Sequence, residues 1–409
     1  MPTPPHPGAA KAPANSASEA AAPRYYVPEL DTLRFFSFLC IFGFHIIDLD
    51  LMRNMPLSSW KPGLALHIVM MTGISIDLFF VLSSYLITKL LLKEWSREGQ
   101  VDIKAYYVRR ILRIWPLYYF FAALAFALSR LGGEFSVGPA YMMSILVFFA
   151  NYGIVEAFAH PAQWHANLVV GPLWTVSAEE QFYLLWPLAI RTGSNRRAAI
   201  LSIAILAIVL ADRIRAGLGI LGPPVSLLTV FTHLDSFAVG ILLAAVPRFD
   251  RVKDLRLLSR VGLVAAGLAA WYFAVTFGNY PNPNAAPIAV ILSYPAAAFG
   301  SGAFVLAAIG AGKAGARFLL NEWFLYFGRI SYGLYVYHGL IITVMQIPIS
   351  SLLLRWFHPW GWPFWIAEIV YILASFSLTA LVAAASYRWL ESPFLRLKNR
   401  FTHVPSRPV

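Results

Sequence analysis

Tyr26-Val-Pro-Glu-Leu-Asp-Thr-Leu-Arg34-Phe-Phe-Ser-Phe-Leu-Cys-Ile-Phe-Gly-Phe-His45 opens the ordered part of this chain and sets its reading. From Leu33 onward the stretch is almost wholly apolar, yet it holds an arginine near one end and a histidine at the other. On an α-helix eleven steps make about three turns, so Arg34 and His45 share one face, roughly 16 Å apart along the axis. Ionisable groups inside an apolar span are expensive and by default mark function. The competing reading is that Arg34 snorkels at an interface and His45 is a satisfied core histidine.

Stretches of this kind recur along the chain. Hydrophobic residues make up 59%, charged residues only 13%, and the mean hydropathy is +0.64, far outside soluble usage. The chain therefore reads as all-α, a polytopic transmembrane helical bundle. A soluble chain of 409 residues would suggest two or three domains, but here stacked spans use up the length. The net charge of +12 comes from bases that flank apolar runs, which favours a lipid bilayer over nucleic acid as partner. The single cysteine, Cys40, has no partner for an intrachain disulfide and reads as a small core residue. Residues 1–24, rich in Pro, Ala and Ser, read as a disordered cytoplasmic tail, 25–398 as the membrane domain, and 399–409 as a second cytoplasmic tail.

Apolar runs fall at roughly 33–51, 66–92, 113–131, 141–155, 172–190, 198–216, 225–246, 260–277, 287–311, 322–348 and 362–387, judged against the ~20 residues a helix needs to cross. Basic clusters decide which of them cross: Lys89 to Arg113, Arg191 with Arg196 and Arg197, Arg248 to Arg260, Lys313 with Arg317, and Arg388 to Arg400. With the N-terminus inside, all five clusters fall on the cytoplasmic side only if 141–155 does not cross. The expectation is about ten spanning helices plus one re-entrant or interfacial segment, with both termini cytoplasmic. Arg213 and Arg215 then lie outside against the rule, a conflict softened by Asp212.

Candidate chemistry sits in a few segments. Arg110 and Arg113 are three apart at a helix start, where like charges repel unless an anion joins them, and guanidinium forks match phosphate oxygens. A cytoplasmic, phosphate-rich ligand such as a nucleotide or coenzyme A fits there; Arg109 reads as a membrane anchor. In Trp174-Thr-Val-Ser177-Ala-Glu179-Glu180-Gln181-Phe-Tyr183 two adjacent carboxylates diverge by about 100° around a helix. One of them is expected to face the bundle interior, paired with an arginine or holding a histidine in its working tautomer, and spacing does not say which. Asp77 is an isolated acid whose partner could be Arg34 or His45. Asp235 in Thr232-His233-Leu-Asp235 is a similar lone acid. Tyr332, Tyr335 and Tyr337 read as packing and interface residues, whereas His338, mid-span, is harder to dismiss. The sequence holds no GxSxG elbow, Walker-type loop, CxxC pair or HExxH helix, so no metal is expected.

Taken in order, these segments resemble the membrane-bound acyltransferase-3 family of bacterial O-acyltransferases. The likeness runs from about residue 26 to 398. Leu30-Asp31-Thr-Leu-Arg34 to His45 is similar to the family's Leu-Asp-Gly-Leu-Arg opening with its Arg-x10-His pair, and Gly73 to Ile87 to its second-span segment. Arg110-Ile-Leu-Arg113 is similar to its Arg-x-x-Arg pair, Trp174 to Pro187 to its Glu-Glu-Gln-Phe-Tyr signature, and Ile330 to His338 to its Ile-Ser-Tyr signature. Ser386-Tyr387-Arg388-Trp-Leu-Glu391-Ser-Pro393-Phe394 also fits. Thr32 and Ser84 stand where the family has glycines, which bears on local packing. Some members continue into an extracytoplasmic esterase-like domain, for which the sequence is expected to leave no room.

The resemblance implies an enzyme of the bacterial inner membrane that moves an acyl group, usually acetyl, from cytoplasmic acyl-CoA to a hydroxyl of a cell-surface or exported glycan. On that implication Arg110, Arg113 and Arg34 hold coenzyme A, and His45 is general base or acyl carrier, with Arg34, Glu179 and Glu180 beside it. Asp77, Asp235, Tyr335 and His338 serve substrate or structural pairing. A lipid-linked sugar or a secondary metabolite is the alternative acceptor, lodged among outer loops at Trp60 to Pro62, Phe135 to Trp174 and Gly278 to Pro287. A polytopic exporter or flippase is the rival from another class.

Overall fold

The structure, a computed structural model, describes residues 25–47, 62–160, 164–191, 193–217, 233–278, 287–357 and 364–402. The expected N-terminal tail at 1–24, most of the C-terminal tail, the Trp60 end of the first outer loop and most of the 278–287 loop lie outside these residues. Every regular element among them is helical. They are α1 (Glu29–Ile46), α2 (Pro62–Gly73), α3 (Ser75–Glu98), α4 (Ile103–Ser129), α5 (Pro139–Leu146), α6 (Ala150–Ala159), α7 (Leu173–Ala189) and α8 (Asn195–Gly217). There follow α9 (Leu234–Ala245), α10 (Leu257–Thr276), α11 (Pro287–Ala308), α12 (Glu322–Arg329), α13 (Ser331–Phe357), α14 (Phe364–Ser386) and α15 (Ser392–Lys398).

Five stretches among the described residues are long and apolar enough to cross a membrane: Leu66–Glu98, Ile103–Ser129, Leu257–Thr276, Ile288–Ala308 and Glu368–Lys398. The chain is a multi-pass membrane protein. Two further apolar runs are interrupted. The run at 322–348 breaks at Ile330, which separates the eight-residue α12 from α13. The run at 141–155 forms α5 and α6, of eight and ten residues, each far short of a crossing. Phe148, at the break, takes a φ of 57°, a left-handed conformation costly for a bulky residue. It is held there by its ring, stacked on Tyr118 with centroids 4.4 Å apart, and by its carbonyl, which accepts from Gln181 Nε2 at 2.8 Å.

α3 is the spine of the bundle. Phe80, Ile87 and Leu91 join a core with α1, α4, α7 and α13, while Leu78, Val81, Leu82 and Tyr85 join a second core with α9, α10 and α11. A helix buried on opposite faces reads as hydrophobic all round, which is why its sequence shows little amphipathic period. Gly99, at φ 69°, ends α3, and the Asp102 side chain caps α4 by accepting from Ala105 N at 2.8 Å, so the two helices turn back on each other within a few residues.

The two residues that stand in place of glycines are accommodated from the opposite side. Ser84 packs on Gly240 of α9, where an added Cβ would strike the Ser84 hydroxyl and the Val81 carbonyl. Thr32 Oγ1 donates to Leu319 O at 2.7 Å, and next to it the backbone of Asp31 lies against Gly328, leaving no room for a Cβ there. The first turn of α1 is thus pinned to the loop before α12 and to α12 itself.

Candidate active site

The helix ends gathered around the start of α1 enclose a cavity of about 160 Å³. Four arginines line it: Arg34 from α1, Arg110 and Arg113 from α4, and Arg329 from the last turn of α12. Two carboxylates, Asp31 and Glu179, share the wall. Arginine is always charged, so even with both acids ionised four cations face two anions, an excess of two positive charges in a partly enclosed space. Along α3 the lining runs from Leu90 to Ile76, fourteen steps or roughly 21 Å of helix. The cavity is long and narrow.

Local contacts fix two of these arginines. Arg34 NH1 lies 3.3 Å from Asp31 Oδ1, and Asp31 Oδ2 accepts from Tyr26 OH at 2.9 Å. The Arg110 guanidinium sits 4.9 Å from the centroid of the Tyr183 ring and 5.6 Å from that of Tyr106. Stacking of this kind orients the planar fork while its N–H edges remain available. Tyr25, ahead of α1, also lines the cavity and lies 3.2 Å from Tyr85 OH; burial pushes its phenol up from the ordinary value, which keeps it protonated.

Glu179 and Glu180 diverge as their adjacency requires. Glu179 faces the cavity and accepts from Ser83 Oγ at 2.6 Å. Glu180 turns toward α4, where its Oε2 accepts from Trp115 Nε1 at 3.2 Å, and its buried Oε1 has no hydrogen-bond partner among the described residues. Contrary to the expectation for one of them, neither carboxylate forms an ion pair with an arginine or a histidine among the described residues; Ser83 and Trp115 are the hydrogen-bond donors seen.

His45 is held by another histidine. Its Nδ1 lies 3.0 Å from His338 Nε2, the rings stack with centroids 5.1 Å apart, and His338 Nδ1 contacts Tyr335 O. A carbonyl oxygen only accepts, so His338 carries its proton on Nδ1 and, when neutral, presents Nε2 as an acceptor. His45 must then donate from Nδ1, which leaves the lone pair on its Nε2. In neutral His45 these contacts place the proton on Nδ1 and leave Nε2 as the basic nitrogen, the tautomer suited to taking a proton.

His45 and His338 do not line the cavity. Tyr335 stands between: its ring forms part of the cavity wall, its hydroxyl accepts from Thr175 Oγ1 at 2.8 Å, and its carbonyl anchors His338. The structure therefore brings Arg34, Arg110, Arg113 and Glu179 together and sets the histidine pair one tyrosine away.

Asp77 and Asp235 belong elsewhere, and their expected partners are corrected. Asp77 is bound not by Arg34 or His45 but by His233 Nδ1 at 2.8 Å and Ser236 Oγ at 2.7 Å. Asp235 is not alone: it pairs with Arg213, whose guanidinium lies 4.7 Å from the Tyr294 ring centroid. All of these groups are buried. Arg213 therefore needs no help from Asp212 as an exception to the charge rule, because its charge is neutralised inside the bundle.

Among the described residues, no three of His, Cys, Asp and Glu converge as metal ligands would. Two participants escaped the sequence reading. Arg329 was visible in Gly328-Arg329-Ile but indistinguishable from a membrane-anchoring base, and His233 stood two residues from Asp235 without any spacing that marks a pair.

A multi-pass helical bundle with an arginine-lined cavity beside a histidine pair is the class that fold and site define. Residues 27–387 match the acyltransferase domain family Acyl_transf_3, and the chain belongs to that family. It is similar to peptidoglycan O-acetyltransferase OatA of Listeria monocytogenes, 29% identical over 173 residues, covering 40% of this chain and 24% of that protein. It is also similar to O-acetyltransferase OatA of Staphylococcus aureus, 26% identical over 429 aligned positions, covering 94% of this chain and 60% of that one. The chain thus spans less than two thirds of the length of these relatives. No solved structure matches it significantly.

Proposed function

We propose that this protein is an O-acyltransferase of the bacterial cytoplasmic membrane, with about ten crossings and both termini cytoplasmic, that uses acyl-CoA, in the first instance acetyl-CoA, to acylate a hydroxyl of a surface or exported glycan. Four arginines facing one elongated cavity, with a base-ready histidine behind its wall, are the observation that carries this reading. The names of the relatives point to peptidoglycan as the glycan to test first.

The donor enters from the end of the bundle where α1 begins. Its phosphates pair with Arg110, Arg113, Arg34 and Arg329, and its pantetheine arm runs along α3 toward Phe79, Thr175 and Tyr335. A swing of the Tyr335 ring, which breaks one hydrogen bond to Thr175, opens the cavity toward His45. His45 Nε2 takes the proton of the acceptor hydroxyl as its oxygen attacks the thioester carbonyl. The C–S bond breaks, and the imidazolium returns the proton to the departing thiolate. His338 stabilises that imidazolium through its Nε2 lone pair.

The experiment is release of free coenzyme A by the purified protein. Thiol release that depends on a glycan hydroxyl and disappears in His45→Ala is expected; no release with any hydroxyl acceptor, from protein shown to bind acetyl-CoA, would return the reading to an exporter or flippase.

A further inference from the structure

Beside the long cavity lies a second, smaller one of about 50 Å³, room for about four water molecules. Arg110, Arg113, Ile87 and Leu90 belong to the walls of both. The remaining polar wall of the small cavity comes from Glu94, Tyr106, Arg109, Lys398 and Thr402. Arg109 donates to Glu94 Oε2 at 2.8 Å and to Phe401 O at 2.7 Å, and Asp102 N donates to Glu94 Oε1 at 2.9 Å, so the acid is neutralised where it stands. Arg109, Arg110, Arg113 and Lys398 thus bring four basic side chains to a wall that holds one carboxylate. Lys398 is itself buried, 9% exposed.

The chain takes an irregular path to bring that lysine there. Pro393 has no N–H to continue an α-helical ladder, and α14 opens into a π turn at Tyr387–Glu391 before α15 resumes. The turn is tied back to α13 through Tyr337 OH, 3.2 Å from Ser386 Oγ, which contacts Glu391 Oε1 at 3.4 Å. α15 then lies against α4, and its last residue closes the small cavity.

We infer that the small cavity takes a second phosphate group of the same ligand that fills the long one: a phosphomonoester on the ribose, with Lys398 as its specificity residue. The inference rests on the acyl-CoA reading. Coenzyme A carries a 5′-pyrophosphate and a 3′-phosphate on one ribose, a branched polyanion that needs two anion sites sharing an edge. Arg110 and Arg113 are that edge. The 3′-phosphate is close to a dianion at neutral pH and suits the lysine-bearing side. An anionic lipid headgroup offers the same phosphate chemistry at a membrane surface and is the other source to separate.

Kinetics of the full chain, purified and reconstituted with and without anionic lipid, test this with acetyl-CoA and 3′-dephospho-acetyl-CoA. Wild type should show a KM lower for acetyl-CoA by about ten- to a hundredfold, as expected for a charged hydrogen bond. Lys398→Gln should raise KM for acetyl-CoA to near that for the dephospho donor, whose own KM stays at the wild-type value, and Lys398→Arg should keep the discrimination. Equal KM for both donors in wild type overturns the inference while leaving the acyltransferase intact; activity with neither donor instead defeats the acyl-CoA reading. Discrimination undiminished in Lys398→Gln, equal loss on both donors, or a dependence on anionic lipid that is the same for both donors also overturns it.

Discussion

His338 Nε2 accepts from His45 Nδ1 across 3.0 Å because the other nitrogen of His338 is committed to the Tyr335 carbonyl. The pair works as a relay in which one imidazole sets the tautomer of the other. Replacing His45 by Ala should lower turnover by about 10²–10⁴-fold, the share that a positioned base supplies. His338→Ala should lower kcat by less than that, with KM for the donor unchanged, since the cavity is not altered. His338→Gln should recover part of the loss, because an amide oxygen still accepts from Nδ1. Steady-state kinetics on the three variants check this; wild-type kcat in His338→Ala would sink the relay.

Arg329 faces the same cavity as Arg34, Arg110 and Arg113, from the helix packed on the start of α1. Losing one guanidinium from a phosphate site removes a charge-assisted hydrogen bond of about 1.5–3 kcal/mol. Arg329→Gln is therefore expected to raise KM for acetyl-CoA by about ten- to a hundredfold with little change in kcat. Binding measured by calorimetry in detergent should fall in parallel. Unchanged affinity would make Arg329 a membrane anchor after all.

Sequence periodicity and charge were enough to read a helical membrane bundle and to mark Arg34, Arg110, Arg113 and the Glu179–Glu180 pair, without choosing between the two acids, since an arginine pair on one helix face and acids beside an apolar run are local patterns. What stayed hidden is non-local. Asp77 and His233 are 156 residues apart, His45 and His338 are 293 apart, and no spacing rule connects them. The number of spans that satisfy length and apolarity also falls short of ten among the described residues, in part because α1 carries Glu29, Asp31 and Arg34 and α7 stops at 17 residues. A hydropathy window sees composition; it does not see that those charges are matched inside the bundle.

Asp77 gathers two donors from the start of α9, so its role is to fasten α3 to that helix. Asp77→Ala should cost about 3–5 kcal/mol by stranding its partners, and the membrane yield of folded protein should drop. Asp77→Asn keeps an accepting oxygen and should restore both yield and turnover. A thermal-shift series in detergent, paired with activity, decides the matter: Asp77→Asn that folds normally but is inactive would make the carboxylate chemical.

Gly328 allows α12 to touch the backbone of Asp31, the residue that steadies Arg34. A methyl group there meets main-chain atoms that have little room to yield. Gly328→Ala is expected to destabilise by about 1–3 kcal/mol, the range for overpacking. Displacing the first turn of α1 should also raise KM for the donor, since Arg34 moves with Asp31. A variant with wild-type melting temperature and KM would show that the two helices part more easily than their contact implies.

The break at Phe148 bears on which way the chain faces. Neither α5 nor α6 reaches across a bilayer, so the parity of crossings before Arg191, Arg196 and Arg197 depends on that break. If the N-terminus is cytoplasmic, three crossings precede α5 and a fourth, α7, returns the chain to the inside at Ser194. A single cysteine at Ser194, in a Cys40→Ala background, should resist an impermeant maleimide in intact cells and react once the membrane is opened. Ready labelling in intact cells would mean that the α5–α6 segment crosses after all. It would also carry the Arg110–Arg113 cavity away from any cytoplasmic pool of acyl-CoA only if the N-terminus were outside as well, so a second cysteine at Ser96, exposed in the last turn of α3, is labelled alongside. Protection at Ser96 with exposure at Ser194 would confine the error to α5 and α6; exposure at both would invert the bundle and remove the donor.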